Sequence, residues 1–409
     1  MIIIHSMDAL PRLAGAALAA AARAMPVVVL TGARQTGKST LAQAVDPPGR
    51  AYFTLDDLDV LDQAMNDPEA LVRRASPVSL DEVQRAPGLL LAVKREVDRK
   101  RQRGRFFLTG SANLLLMGKV SETLAGRASY LTLWPMSRRE QLGHGRGGLW
   151  PELLAAADEA WPAVIAAHPA PPEDWRECVR RGGYPTPALE LETAARDTWF
   201  AGYAQTYLER DLQQISAISN LPDLRRLMRA VCLRLGQLMN QAELGRDVAL
   251  PQPTVHRWLN VLEVSYQMVR VPAYAVNRTK RLIKAPKLYW TDTGLAMHLT
   301  EGEPGGSHLE NLVLTDLLAW RDTSLRRPEI CYWRTAVGEE VDFVIDMGGS
   351  LLPIGVKATD RPRTGDIKHL LAFKAEYGKR SRAGLLLHTG TAIEWLSPGV
   401  LAAPWWAVV

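Results

Sequence analysis

The sequence predicts an α/β protein that opens with a parallel-sheet domain, and three observations predict it. Apolar runs at residues 27–30, 51–55, 78–80, 105–108 and 130–133 alternate with helical stretches at 40–45, 60–66 and 89–101, the texture of strands joined by crossover helices. The first run leads straight into Gly32-Ala33-Arg34-Gln35-Thr36-Gly37-Lys38-Ser39, which fits G-x-x-x-x-G-K-[ST] between a strand and a helix. At 409 residues the chain exceeds one ordinary domain and suits two to four.

The bulk numbers exclude several classes. Hydrophobic residues at 47% and charged residues at 23% are ordinary globular values that leave apolar surface for more than one core. A formal charge of +5 is too small over this length to announce nucleic-acid binding, so the placement of the positives matters more than their sum. Cys178, Cys232 and Cys331 lie far apart, which suits a reducing cytoplasm and argues against a disulfide framework or a zinc site. Residues 13–30 are alanine-rich and superficially like a signal peptide. Arg23 and Pro26 interrupt them, and they run into the phosphate loop. The expectation is a cytoplasmic protein without a membrane segment.

In the phosphate loop each residue type has a reason. Gly32 and Gly37 let the backbone curl so that the N–H groups of Ala33, Arg34, Gln35, Thr36, Lys38, Ser39 and Thr40 can converge on phosphates, and the following helix adds its positive end. Lys38 can reach the β- and γ-phosphates, and the Ser39 hydroxyl can take one Mg²⁺ position. About forty residues on, Val78-Ser79-Leu80 ends in Asp81-Glu82. Adjacent strand residues point to opposite faces, so Asp81 can serve the Mg²⁺ while Glu82 polarises an attacking water. ATP and Mg²⁺ are thus the expected ligands. Ser111 or Asn113, after the strand at 105–108, could sense the γ-phosphate, although a serine there also reads as a turn. Arg127 could act across a subunit boundary on transition-state charge or sit in a surface salt bridge. Arg180 and Arg181, before Gly182-Gly183-Tyr184-Pro185, could approach from a lid.

After Pro135 the texture changes. Glycines at 143–148 and prolines at 162–172 read as a loose or inserted connection. Helical patterns then run from Trp175 to about Leu238. Asn240 caps a short helix, and Pro253-Thr254 opens another with Val255, Trp258, Leu259 and Leu262 on one face. A β-rich basic segment follows, a layout that matches a winged helix-turn-helix. Between Val271 and Trp290 there is no Asp or Glu. Arg278, Lys280, Arg281 and Lys284, beside Tyr266 and Tyr274, are therefore the candidate nucleic-acid contacts; the alternative is a solvated face on a lid or subunit contact.

At this point the residues resemble a known group. The phosphate loop, Leu80-Asp81-Glu82-Val83-Gln84, Leu108-Thr109-Gly110-Ser111 and Leu124-Ala125-Gly126-Arg127 look like the ATPase core of a prokaryotic AAA+ family. The resemblance continues through Gly182-Gly183-Tyr184-Pro185, the run from Pro286 to Leu295, and Glu339-Glu340-Val341-Asp342-Phe343. It implies an AAA+ parallel sheet in the order 5-1-4-3-2 over residues 1–140. It also implies a linker and helical lid at 141–220, a winged-helix domain at 221–300 and a restriction-endonuclease-like domain at 301–409. In the last domain the family pattern places Glu310 on a helix, Asp342 on a strand and Lys357 on the next strand, the acids gathering Mg²⁺. Gly355 stands where that pattern has a glutamate, so binding is expected there rather than cutting; Glu340 is the better of two neighbouring substitutes. The combined reading is an ATPase acting on DNA as a ring or other homo-oligomer. The alternative is a nucleotide-controlled switch that docks a protein partner in regulation or defence.

Overall fold

The computed structural model describes residues 10–44, 49–110, 123–208, 220–277, 281 and 284–409. The chain enters through α1 (Ala14–Ala24) and then builds a parallel sheet from β1 (Val27–Thr31), β2 (Ala51–Thr54), β3 (Val78–Asp81), β4 (Phe106–Thr109) and β5 (Ala128–Thr132). Its order is β2-β3-β4-β1-β5, the 5-1-4-3-2 arrangement that the resemblance implies. The crossovers are α2 (Lys38–Ala44), the pair α3 (Leu58–Asn66) and α4 (Pro68–Arg73), and α5 (Leu89–Arg99). Local chemistry sets their ends: Asp57 accepts the Asp59 and Val60 N–H groups at the start of α3, and Asp67 caps α4 with a proline in its first turn. Val27, Val29, Leu80, Leu108 and Val93 fill one face of this sheet, and Val28, Leu30, Phe107 and Leu133 fill the other. Burial of the three inner strands β1, β3 and β4 on both faces explains why their apolar runs are continuous rather than alternating.

Much of the region expected to be a loose connection is helical core, although residues 144–148 and 169–174 are irregular. Residues 138–181 form α6 (Arg138–Gln141), α7 (Trp150–Ala155), α8 (Trp161–Ala167) and α9 (Trp175–Arg181). Pro151 and Pro162 stand in the first turn of α7 and α8, where a missing N–H costs nothing; they start helices rather than mark a linker. Trp150 and Trp161 are fully buried and share one apolar cluster with Leu309, Val313, Leu317 and Trp405 from the end of the chain.

The middle of the protein holds α10 (Pro185–Leu189), α11 (Thr193–Tyr203), α12 (Leu221–Cys232), α13 (Gln241–Asp247) and α14 (Gln252–Val264), followed by the antiparallel pair β6 (Met268–Val271) and β7 (Lys287–Trp290). Asn220 and Asn240 cap α12 and α13 through their side-chain oxygens. Leu224, Leu227, Val255, Trp258, Leu259 and Leu262 then pack with Leu288 and Trp290 beneath α15 (Thr293–Thr300). The loop between β6 and β7 lies against the last domain: Ala273 pairs in parallel with Tyr332, and Tyr332 donates to the Pro272 carbonyl at 3.0 Å.

That domain runs α16 (Gly306–Thr323), β8 (Glu329–Arg334), β9 (Glu340–Asp346), β10 (Leu351–Lys357), α17 (Lys368–Tyr377), β11 (Gly384–His388), β12 (Glu394–Ser397), β13 (Val400–Pro404) and α18 (Trp405–Val408). Strands β8, β9 and β10 are antiparallel neighbours, β11 joins β10 in parallel across α17, and β13 and β12 complete the sheet. Among the described residues no helix is long and apolar enough to cross a membrane.

Asp316 of α16 joins this domain to the helices before it. It accepts the Gly148 N–H at 2.9 Å and the Trp150 indole at 2.5 Å. Burial pushes its carboxyl up to about 6 from 3.8, against those two bonds. A raised folded value means that its stabilising contribution is complete below the unfolded value and is lost as pH rises through about 6. The stability difference between wild type and Asp316→Asn, wild type minus variant, should therefore fall by on the order of 2 kcal/mol from about pH 4 to pH 7. Denaturant melts at the two pH values measure it, and a pH-independent difference refutes it.

Candidate active site

The phosphate loop leaves β1 at the carboxyl edge of the sheet. Gly32 has φ +147°, and a Cβ there would lie 2.3 Å from the Leu133 carbonyl oxygen, so the close approach of the chain beyond β5 demands glycine. Inside the loop, Thr36 Oγ1 donates to the Ala33 carbonyl at 3.0 Å, and Lys38 Nζ reaches the carbonyls of Ala33 and Gly32 at 2.6 and 3.2 Å. Lys38 is only 5% exposed, so its charge is held within the curl of the loop.

Asp81 ends β3 and is 2% exposed. Its carboxylate accepts the Tyr52 hydroxyl from β2 at 2.6 Å and the Thr109 hydroxyl from the end of β4. Burial, followed by the bond to Asp81, pushes the Tyr52 phenol up to about 12, and the same hydroxyl also engages Gln43 and Ser39. Ser39 and Asp81 thus meet through Tyr52. Glu82 follows in the left-handed region (φ 57°), which turns its side chain away from the strand direction. Burial raises its pKa, and Lys38 acts in the opposite sense. Gln84 donates to its carboxylate, and its own N–H reaches Thr109 Oγ1 at 3.4 Å.

The fold therefore gathers Lys38, Ser39, Asp81 and Glu82, and adds Tyr52 and Thr109, which sequence reading missed. Thr109 had a signal, since it closes a strand before Gly110. Tyr52 had none beyond its place in β2. Arg34 takes the Tyr203 hydroxyl on its carbonyl at 3.4 Å. A cavity of about 420 Å³ opens beside Gly37 and Thr40, walled by Leu10, Pro11, Leu41, Met136 and Pro185.

Other candidates are placed elsewhere. Arg127 precedes β5 at the opposite edge of the sheet, where its guanidinium grips Asp98 at 2.6 and 3.0 Å. The five residues of β1, about 17 Å of strand, separate that edge from the loop, so Arg127 does not reach its own chain's site. Arg180 pairs with Glu303, and Arg181 pairs with Glu173 at 2.7 Å. Ser111 and Asn113 lie outside the described residues.

A second polar cluster joins the middle and last domains. Lys287 Nζ lies 2.6 Å from Glu340, 3.1 Å from Glu310 and 3.7 Å from Asp342. Tyr289 donates to Glu310, and Asp342 accepts the Val356 N–H at 2.8 Å. Burial, with Asp342 adding repulsion, raises the Glu310 carboxyl to about 7. Glu310, Asp342 and Glu340 do come together, but around an ammonium. Among the described residues no group of three or more His, Cys, Asp or Glu is arranged to hold a metal ion; the two expected ligands, Glu310 and Asp342, both face Lys287. Lys357 is exposed at the end of β10, with its charge felt at Asp342. A Cβ at position 355 would meet Leu386 at 3.2 Å and Leu370 at 3.5 Å.

One member of the basic segment, Arg281, is corrected as well. Arg281 is 7% exposed and pairs with Glu329 and with Asp346 at 2.8 Å, its guanidinium 4.4 Å above the Tyr274 ring. It is an interior ion pair, not a surface cation. Tyr274 is buried, and the Tyr266 hydroxyl is within hydrogen-bond distance of Thr31 Oγ1 at 2.8 Å. Lys284 is exposed, while Arg278 and Lys280 lie outside the described residues.

Residues 24–142 match the family described as AAA domain, and residues 172–305 and 305–408 match two domains of unknown function, DUF8612 and DUF4143. The uncharacterized protein Rv2008c of Mycobacterium tuberculosis is 31% identical over 360 residues, 85% of this chain and 74% of that one. The chain belongs to the family of that protein. An uncharacterized protein of Haemophilus influenzae is 22% identical over 385 residues, 86% of this chain and 88% of its own. Among solved structures, the Walker-type ATPase of Pyrococcus abyssi is similar, with a TM-score of 0.43 and 16% identity over 71% of this chain and 99% of that one. The N-terminal region of this family member is an AAA domain.

Two substitutions separate binding from turnover. Lys38→Ala should abolish ATP binding in a fluorescent-nucleotide titration. Glu82→Gln should bind as wild type yet lose about 10²–10⁴-fold in kcat; equal loss of binding in both variants would contradict the division of roles.

Proposed function

We propose that this protein hydrolyses ATP and couples the cycle to DNA. The observation that carries the first half is the meeting of Lys38, Ser39, Asp81 and Glu82 at the carboxyl edge of one parallel sheet, where open α/β sheets place ligands. Water attacks the γ-phosphate; Glu82 orients it and takes its proton, a task suited by a pKa raised through burial. Lys38 neutralises charge on the phosphates. Ser39 and Asp81 would hold Mg²⁺, and an oxygen-only donor set fits that ion. When bound, it spreads the phosphate charge. The cavity of Leu10, Leu41, Met136 and Pro185 suits the purine. Arg127, remote from its own site, would serve a neighbouring copy, which favours a ring or other homo-oligomer in the cytoplasm.

For DNA, the supporting feature is α13, α14 and the β6–β7 pair, the layout of a winged helix. Helix α14 turns His256, Arg257 and Asn260 away from the core, and Lys284 is exposed nearby in sequence. The last domain runs helix, three antiparallel strands, helix, parallel strand, an order that supports a restriction-endonuclease-like fold, and Gly355 in place of an acid favours binding over cleavage. The rival reading, a nucleotide-controlled switch docking a protein, is favoured by one observation: Arg281 and the loop after β6 are folded into the last domain.

ATP turnover measured with single-stranded, duplex and branched DNA decides between them. Stimulation by at least one form, reduced by Arg257→Glu with basal turnover unchanged, is expected. No binding and no stimulation at moderate salt by any form would leave the switch.

A further inference from the structure

We infer that Lys287 is the built-in cation of the last domain's carboxylate site and that it latches the middle domain onto that site in place of a metal. The inference rests on the nuclease-like reading only for where a metal would be expected; the latch stands on the geometry alone.

Lys287 is the first residue of β7 and is 1% exposed. Its backbone is fixed on two sides, by pairing with Val271 of β6 and by a bridge to Leu238. The ammonium is therefore delivered by a rigid element rather than by a free surface side chain. A lysine so far from water is tolerated only when its charge is matched, and three carboxylates surround it at 2.6, 3.1 and 3.7 Å.

The carboxylate oxygens are already engaged. Glu310 Oε1 accepts from Lys287 and Tyr289. Asp342 Oδ1 faces Lys287 while Oδ2 takes the Val356 N–H. Glu340 divides its oxygens between Lys287 and Arg334, the latter at 3.1 Å. The remaining Glu310 oxygen, Oε2, lies close under Gly236, where a Cβ would come within 3.1 Å. A divalent cation needs about six oxygen ligands, several of them waters. The ammonium already sits among these acids, and Gly355 adds no fourth carboxylate. The residues present do not fit a metal. Lys287, Tyr289 and Gly236 all belong to the middle domain, so that domain both neutralises the site and covers Glu310.

The test uses full-length protein without nucleotide. Lys287→Met should lower Tm by about 5–10 °C. About 5 mM Mn²⁺ should then recover about 2–4 °C in the variant and nothing in wild type. Adding Asp342→Asn to Lys287→Met should abolish that recovery. If Lys287→Met does not fold, Glu340→Gln keeps the lysine and weakens the latch, and amide hydrogen exchange across residues 287–290 should accelerate. Unchanged exchange there would refute the latch. So would an Asp342-dependent Mn²⁺ shift in wild type, or Mn²⁺-dependent DNA cleavage by wild type that Lys287→Met loses. DNA stimulation of ATP turnover is read separately, so the latch and the DNA reading can fail independently.

Discussion

One buried carboxylate, Glu140, fixes the surroundings of the nucleotide loop. It accepts the Leu13 N–H at 2.7 Å, Arg12 Nε at 2.9 Å and the Ser137 N–H at 2.8 Å. Arg12 in turn donates to the Thr36 carbonyl at 2.7 Å and the Trp134 carbonyl at 2.9 Å. The entry to α1, the phosphate loop and the exit from β5 are thus tied through a single ion pair with both partners largely shielded from water. Charge-assisted bonds of this kind are among the stronger polar contacts, and removing either partner would strand the other. The two residues before Glu140 face the other way. Arg138 and Arg139 donate to the carbonyls of Trp406 and Ala407 at 2.8 and 2.7 Å. The final helix is consequently held within two residues of the group that braces the nucleotide loop.

Much of this architecture is legible in the sequence, and what is legible has a common character. The phosphate loop, the five apolar runs and Asp81-Glu82 are local patterns, and local patterns survive being read without a partner. The failures are all questions of partnership. Tyr52 and Thr109 matter because side chains from two other strands, β2 and β4, converge on Asp81, which no periodicity reveals. Arg281 reads as a surface charge because its acids lie 48 and 65 positions away. Pro162 reads as a breaker, yet the tryptophan before it is the residue that the fold buries. Gly355 reads as a missing ligand, and the fold adds that Leu370 and Leu386 crowd that position.

The joints between domains rely on buried polar groups as well as apolar area. Asp292 is fully buried, caps α15 through the Leu295 N–H at 2.8 Å, and accepts the Gly183 N–H at 2.7 Å. Gly182 beside it has φ +68°, and a Cβ there would strike the Asp292 carboxylate at 2.6 Å. The double glycine is therefore a seat for that carboxylate. Trp134 similarly donates its indole N–H to Asp322 at 2.8 Å. Such contacts fix register between domains more than they add stability.

The pairing of Thr31 with Tyr266 has a mechanical consequence. Thr31 is the last residue before Gly32, and Tyr266 stands two residues ahead of β6, whose far end pairs with Lys287. A short, stiff hairpin thus spans from the root of the nucleotide loop to the acids of the last domain. The hydroxyl pair at its near end contributes only about 1 kcal/mol, whereas the ammonium at its far end is embedded in charge. Its near end is tied by that hydroxyl pair and by the Trp134 ring set edge-on against Tyr266, and its far end by Lys287 among three carboxylates.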